Sequence, residues 1–262
     1  MKQYKGYLID LDGTVYRGNE VIESAIPFIK TLNENRIPYL FVTNNSSKTA
    51  KQIAEKLNYM GIETTEEHVM TSSMATAQYI KREMPTKRAF VIGELGLYQA
   101  LKEEQIEMIH TDYQTKADIV VIGIDRSITY EKLALASIHI QNGAIFLSTN
   151  QDAAIPTERG LLPGNGSLTS VLTTSTGVTP TFIGKPQPEI ILQSLKKLKL
   201  QKEEVLMIGD NYQTDILAGI QSGLDTLLVF TGVSQLSDLK NFNVQPTYYT
   251  ENLQKLLDGY YY

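Results

Sequence analysis

No cysteine occurs among the 262 residues, which excludes disulfides, thiolate zinc sites and cysteine nucleophiles. An excess of positive charge is also missing. The 24 Lys and Arg stand against 29 Asp and Glu, a net charge of −5 that argues against a general nucleic-acid binder. An anionic small substrate remains allowed, because one local Lys or Arg can reverse the field in a cleft. No apolar run approaches the ~20 residues needed to span a bilayer. Met1-Lys2-Gln3 leads straight into a strand pattern, without a secretory apolar region. Low-complexity linkers and internal repeats are absent too. The expectation is a soluble cytoplasmic protein, whose 42% hydrophobic and 20% charged residues suffice for a packed core.

What is present is an alternation of short apolar runs and helical patterns, the mark of an α/β protein with a parallel sheet. Strands are expected at Tyr7–Asp10, Tyr39–Thr43, Ala89–Ile92, Ile119–Ile124, Ala144–Ser148, Thr181–Ile183, Val205–Ile208 and Thr226–Phe230. Helices are expected at Lys48–Met60, Tyr130–Gln141 and Pro188–Leu198. The Gly18-Asn19 pair, between Val15-Tyr16 and Val21-Ile22, reads as the turn of a small hairpin, a candidate flap. Two stretches of small polar residues, Thr71-Ser72-Ser73 and Thr173 to Gly177, frame a middle section with its own strand–helix repeat. The fold class expected is α/β: a Rossmann-like, doubly wound parallel sheet core with an inserted smaller α/β domain. The core is assigned to residues 1–77 and 181–262, and the insertion to 78–180.

Chemistry concentrates where strands end. Tyr7-Leu8-Ile9 runs into Asp10 and Asp12, two carboxylates at i and i+2 that extended chain points to one side. Such a pair repels unless a cation or shared proton intervenes, and Mg²⁺ is the hard ion that oxygen ligands suit. Asp12-Gly13 alone could also be an ordinary turn. Thr43, Asn44 and Asn45 close the next strand with a hydroxyl and two amides, suited to a phosphate or equally to capping a helix. Lys185, between Gly184 and Pro186, is either a fixed charge or a surface lysine. Asp210 ends another strand as a candidate metal ligand. Asp215 can meet a helix dipole, or orient Lys185 or a metal-bound water, readings that are compatible, and Asn211 is grouped with it at the margin of the site. Carboxylate pair, hydroxyl, lysine and third carboxylate together make a kit for phosphoryl transfer.

Asp10-Leu11-Asp12-Gly13-Thr14, Thr43-Asn44-Asn45, Gly184-Lys185-Pro186 and Gly209-Asp210-Asn211 through Asp215 resemble, in order and spacing, the four motifs of the haloacid dehalogenase superfamily. The resemblance implies that Asp10 is the nucleophile and a Mg²⁺ ligand, and that Asp12 is acid and base and binds the metal through its carbonyl. Asp210 would complete the metal ligands, Lys185 would be catalytic and hold phosphate, and Thr43, Asn44 and Asn45 would contact the phosphate. The stretch from Asp12 to Thr43 is too short for an inserted domain, whereas that from Thr43 to Lys185 accommodates one. This arrangement resembles subclass IIA, the NagD-like phosphatases with an α/β cap. The implied activity is Mg²⁺-dependent hydrolysis of small phosphorylated metabolites through an aspartyl-phosphate. The partner is then a small phosphorylated metabolite, with no nucleic acid and no membrane; homo-oligomerisation is left open. The superfamily's dehalogenases resemble phosphatases lacking the second Asp, which is present here. A binding module on a degenerate phosphatase fold is countered by the intact motifs. Gly93-Glu94-Leu95-Gly96 reads as a strand–helix turn, and His68, His110 and His139 have no ligand spacing.

Overall fold

The computed structural model describes residues 2–109, 115–157 and 159–262. The chain forms two compact units and crosses between them after Thr43, Thr49, Met70 and Gly184. Strands β1 (Gly6–Ile9), β2 (Tyr16–Arg17), β3 (Glu20–Val21), β4 (Tyr39–Thr43) and β5 (Val69–Thr71) come first. Then follow β6 (Ala89–Ile92), β7 (Met108–Ile109), β8 (Ile119–Ile122), β9 (Ile145–Ser148), β10 (Ala154–Thr157), β11 (Gly160–Pro163) and β12 (Thr181–Phe182). Strands β13 (Val205–Gly209), β14 (Asp225–Val229) and β15 (Tyr248–Thr250) complete the first unit.

The first unit is built on a six-stranded sheet of order β15-β14-β13-β1-β4-β5. Strand β1 pairs in parallel with β13 on one side and β4 on the other, with Ile9 opposite both Ile208 and Phe41. The connections therefore leave β1 in opposite directions, a topological switch point, where open α/β sheets form a crevice at their strand ends. Ile9, Phe41, Leu206, Ile208, Leu227 and Val229 are buried on one face with Phe28, Ile29 and Leu32 of helix Ala25–Glu34. Helix Ala50–Tyr59 buries Ile53, Ala54 and Leu57. The hairpin expected around Gly18-Asn19 is present, with Tyr16 paired to Val21 and Arg17 to Glu20.

The second unit carries a parallel sheet of order β12-β9-β8-β6-β7. Its period of two is explicit. Ala89, Val91, Ile119 and Val121 pack in one core with Leu97 and Leu101, while Phe90, Ile92, Val120 and Ile122 pack in another with Leu135 and Ile140. Successive side chains point to opposite faces, so a strand buried on both sides must be apolar throughout.

Several expected boundaries shift for identifiable reasons. The helix expected from Lys48 begins at Ala50, because the Ser47 and Lys48 N–H groups donate to Asn45 Oδ1 in a turn at 3.1 and 2.9 Å. After Asn150, Ala154–Thr157 and Gly160–Pro163 pair as an antiparallel β10–β11 hairpin, which the strands expected from sequence did not include. The second unit comprises 44–49 and 71–184, so helix Ser72–Glu83 belongs with it from its first turn: Ser72 Oγ donates to Asn44 O and Ser73 Oγ to Ser46 O. His110 lies outside the described residues.

The terminal tyrosines, which sequence left without a role, cover the edge of β15. Tyr249 and Tyr262 exchange backbone hydrogen bonds at 2.9 and 3.0 Å, and the rings of Tyr248 and Tyr261 meet edge to face at 5.8 Å. An uncovered edge offers unpaired donors and acceptors to other chains. Deleting Tyr260–Tyr262 is expected to cost about 1–2 kcal/mol, read as a lower urea midpoint, and to leave kcat unchanged.

Candidate active site

Asp10 lies one residue beyond β1, Asp210 one beyond β13, and Lys185 where the chain returns to the first unit. Strands β1 and β13, paired in parallel, deliver Asp10 and Asp210 to the same edge of the sheet. Lys185 is 2% exposed, an unusual burial for a lysine. Its Nζ donates to Asp10 Oδ1 at 2.5 Å, to Asp215 Oδ1 at 2.7 Å and to the Val42 carbonyl at 2.8 Å. Three ammonium hydrogens meet three acceptors. Burial pulls the lysine's pKa down, but Asp10 and Asp215 more than reverse this and keep it charged. Lys185 is therefore not a surface lysine, and Asp215 accepts one of its three hydrogen bonds. The other Asp215 oxygen accepts from Asn211 N at 3.1 Å, while Asn211 caps the next helical turn through Gln213 N.

Asp210 accepts from Val233 N at 2.7 Å and from Thr14 Oγ1 at 3.3 Å. Close backbone approach makes this packing possible. A Cβ on Gly232 would lie 1.9 Å from Asp210 Oδ2, and one on Gly209 would lie 2.2 Å from Asp215 Cβ. Thr14, Gly232 and Val233 were not singled out from sequence. The available signal was that Thr14 sits inside the Asp10–Thr14 string, and that Gly232 and Val233 follow a strand end as Asp210 does.

Asp10, Asp210 and Asp215 each bring a carboxylate oxygen within 4.8 Å of the other two, all three residues being buried. One lysine cannot neutralise three carboxylates. Burial, then the charge of Asp215, raises Asp10 well above the usual carboxylate range despite Lys185. The same two causes push Asp210 up to about 6. A small oxygen-seeking dication fits such a cluster, since it would supply the missing positive charge.

Asp12 stands apart from this trio. It is an exposed residue whose carboxyl is raised by loss of surrounding water, against which the Gly18 N–H and the Lys56 ammonium act. Thr43 is buried at the end of β4. Asn44 and Asn45 belong to the second unit, where Asn44 Nδ2 donates to the Asp152 carboxylate at 3.1 and 3.2 Å. Asn45 Oδ1 caps the turn before helix Ala50–Tyr59, the capping alternative that sequence had left open. Among the described residues, no helix is long and apolar enough to cross a membrane. His68 stacks on Tyr39 at 4.5 Å and His139 packs by Phe90 at 5.2 Å.

Residues 7–107 match the family model of haloacid dehalogenase-like hydrolases, and residues 182–256 match a second model described as HAD-hydrolase-like. The chain is 56% identical over 253 residues to the 5'-nucleotidase YutF of Bacillus subtilis (strain 168), covering 97% of each. It is 51% identical over 257 residues to an acid sugar phosphatase of Staphylococcus aureus (strain USA300), covering 98% of each. Among solved structures, a p-nitrophenyl phosphatase from Archaeoglobus fulgidus is similar with a TM-score of 0.91. That match is at 31% identity and covers 99% of this chain and 100% of that one. Motif order, cluster geometry and these matches agree: the chain belongs to the haloacid dehalogenase-like hydrolases, in their NagD-like subclass IIA branch of phosphatases.

Proposed function

We propose that the protein is a Mg²⁺-dependent phosphatase of small phosphorylated metabolites that works through an aspartyl-phosphate on Asp10. The observation that carries this reading is the buried Lys185 bridging Asp10 and Asp215 beside Asp210. Lys185 fixes one oxygen of Asp10, which leaves the other to attack phosphorus. Asp10 and Asp210, with the Asp12 carbonyl, would hold Mg²⁺, which would supply positive charge to the transferring phosphoryl group. Asp12 gives its proton to the leaving alkoxide, and its raised pKa helps it hold that proton beforehand. It then takes a proton from the water that hydrolyses the acyl phosphate. Thr43 offers a hydroxyl to the phosphoryl oxygens. The names of the relatives direct attention to nucleoside monophosphates and sugar phosphates.

We place substrate choice in the second unit, because the groups named above act on the phosphoryl group that all candidate substrates share. Specificity needs contacts that differ between leaving groups. A panel of phosphorylated metabolites ranked by kcat/KM tests the reading. Substitutions in Asn150–Pro156 should reorder the ranking and spare a small aryl phosphate. No turnover of any phosphomonoester would end the proposal.

Metal dependence gives a further prediction. EDTA should abolish activity, added Mg²⁺ should restore it, and Asp210→Asn should raise the Mg²⁺ requirement. A pH signature accompanies it. Asp210 titrates near 6 when folded against ~3.9 when unfolded. A carboxyl raised in this way adds stability below its unfolded pKa and loses it as pH rises through about 6. Mg²⁺ competes with those protons. Its gain in Tm should therefore be larger at about pH 7.5 than at about pH 5.5. An equal gain at both would remove Asp210 from the metal site.

A further inference from the structure

We infer that Lys56 is a positioning residue for Asp12, acting through the turn of the β2–β3 hairpin; this rests on the acid role of Asp12 proposed above. A pair of two-residue strands cannot hold its own shape in water. The hairpin therefore needs anchors, and the structure supplies them from outside it. Arg17 Nε donates to the Thr231 carbonyl at 2.7 Å. The Tyr16 ring is buried, 9% exposed, beneath the Lys56 ammonium, which stands 3.6 Å from the ring centroid. Lys56 Nζ also donates to the Gly18 carbonyl at 2.7 Å.

Gly18 has a positive φ of 56°, so the turn's geometry depends on a residue without a side chain to pin it. Its two backbone groups serve different masters. The carbonyl binds Lys56, and the N–H binds the carboxyl of Asp12. A displacement of the turn is thus a displacement of the donor that orients Asp12. Lys56 can resist it because helix Ala50–Tyr59 is fixed by the buried Ile53, Ala54 and Leu57. On that helix Lys51, Gln52, Glu55 and Asn58 are exposed, whereas Lys56 is half-buried. A solvated lysine would not be spent on a carbonyl and an aromatic face together. The cation over the Tyr16 face and the hydrogen bond restrict the same side chain from two directions.

Proton donation to the leaving group is the step in which a misplaced Asp12 distinguishes substrates, and poor leaving groups need it most. Hydrolysis of the acyl phosphate is common to all substrates and enters kcat but not kcat/KM, so the test compares kcat/KM for an alkyl phosphate and for p-nitrophenyl phosphate in Lys56→Met, Lys56→Arg and Asp12→Asn, with Tm recorded for each. Lys56→Met keeps the aliphatic stem and loses donor and charge. It should lower kcat/KM for the alkyl phosphate by roughly 10- to 100-fold, the scale of an ångström-level misplacement. For the aryl phosphate its kcat/KM should fall by less than about threefold, since a good leaving group needs little protonation. Lys56→Arg, which retains a cation and donors, should recover most of the loss. Asp12→Asn should show the same selectivity, more strongly. Equal losses on both substrates in Lys56→Met, or no loss on either, would overturn the Lys56 role while a selective Asp12→Asn leaves the acid role standing. A flat Asp12→Asn response removes the acid role, and this inference with it.

Discussion

Asp10→Asn is expected to abolish turnover while leaving the protein folded and at least as stable. Asn keeps the shape and the oxygen that accepts from Lys185, but it lacks the negative oxygen needed to attack phosphorus. The loss should be several orders of magnitude, each factor of ten being about 1.4 kcal/mol of barrier. The stability half of the prediction comes from the same environment. Burial and the charge of Asp215 raise Asp10 well above the ordinary carboxylate range, so its ionised form is costly in the folded state. A neutral amide removes that cost at neutral pH, and Tm in the absence of metal should stay level or rise. Sites built for chemistry commonly trade stability in this way. Retention of a tenth of wild-type kcat would remove Asp10 as nucleophile.

Lys185→Met should damage activity and stability together, which distinguishes it from Asp10→Asn. Methionine fills much of the same volume yet leaves Asp10 and Asp215 buried without their counter-ion. Removing one partner of a buried ion pair typically costs about 3–5 kcal/mol. Protonating the stranded carboxylates relieves that cost, so the gap in Tm from wild type should widen as pH rises. The barrier should also increase by on the order of 3 kcal/mol, as when a preorganised donor to a developing anion is lost. A variant with normal Tm at neutral pH and full kcat would mean that the bridge is incidental.

The proximity of Asp10 and Asp210 was legible through local signals that survive folding: each follows an apolar run, and β1 and β13, paired in parallel, carry both ends to one edge. Lys185 follows β12, a strand of the second unit's sheet, and reaches Asp10 where the chain re-enters the first unit. Asp215 could be read two ways because its partner lies 30 residues away; only the fold brings its oxygen to Lys185 at 2.7 Å. Lys56 gave no local signal at all. It sits in an ordinary amphipathic helix, and its partners Tyr16 and Gly18 come from a hairpin far upstream. Asn44 and Asn45 were grouped with the core because they directly follow β4, yet their packing partners, Asp152 and the turn into the next helix, place them in the second unit. The β10–β11 hairpin was obscured by Pro156 and Pro163, which demote a strand pattern, and by an exposed position that asks for no alternation. The tail's role depended on β15, a three-residue strand too short to stand out.

The central claim is that the phosphoryl group passes first to the protein and only then to water. The stereochemical course at phosphorus tests it most directly, using a phosphate ester made chiral with oxygen isotopes and a chiral product analysis. Two in-line displacements, one by Asp10 and one by water, invert the centre twice, and the account predicts net retention. Net inversion would show a single direct attack by water and would contradict the aspartyl-phosphate.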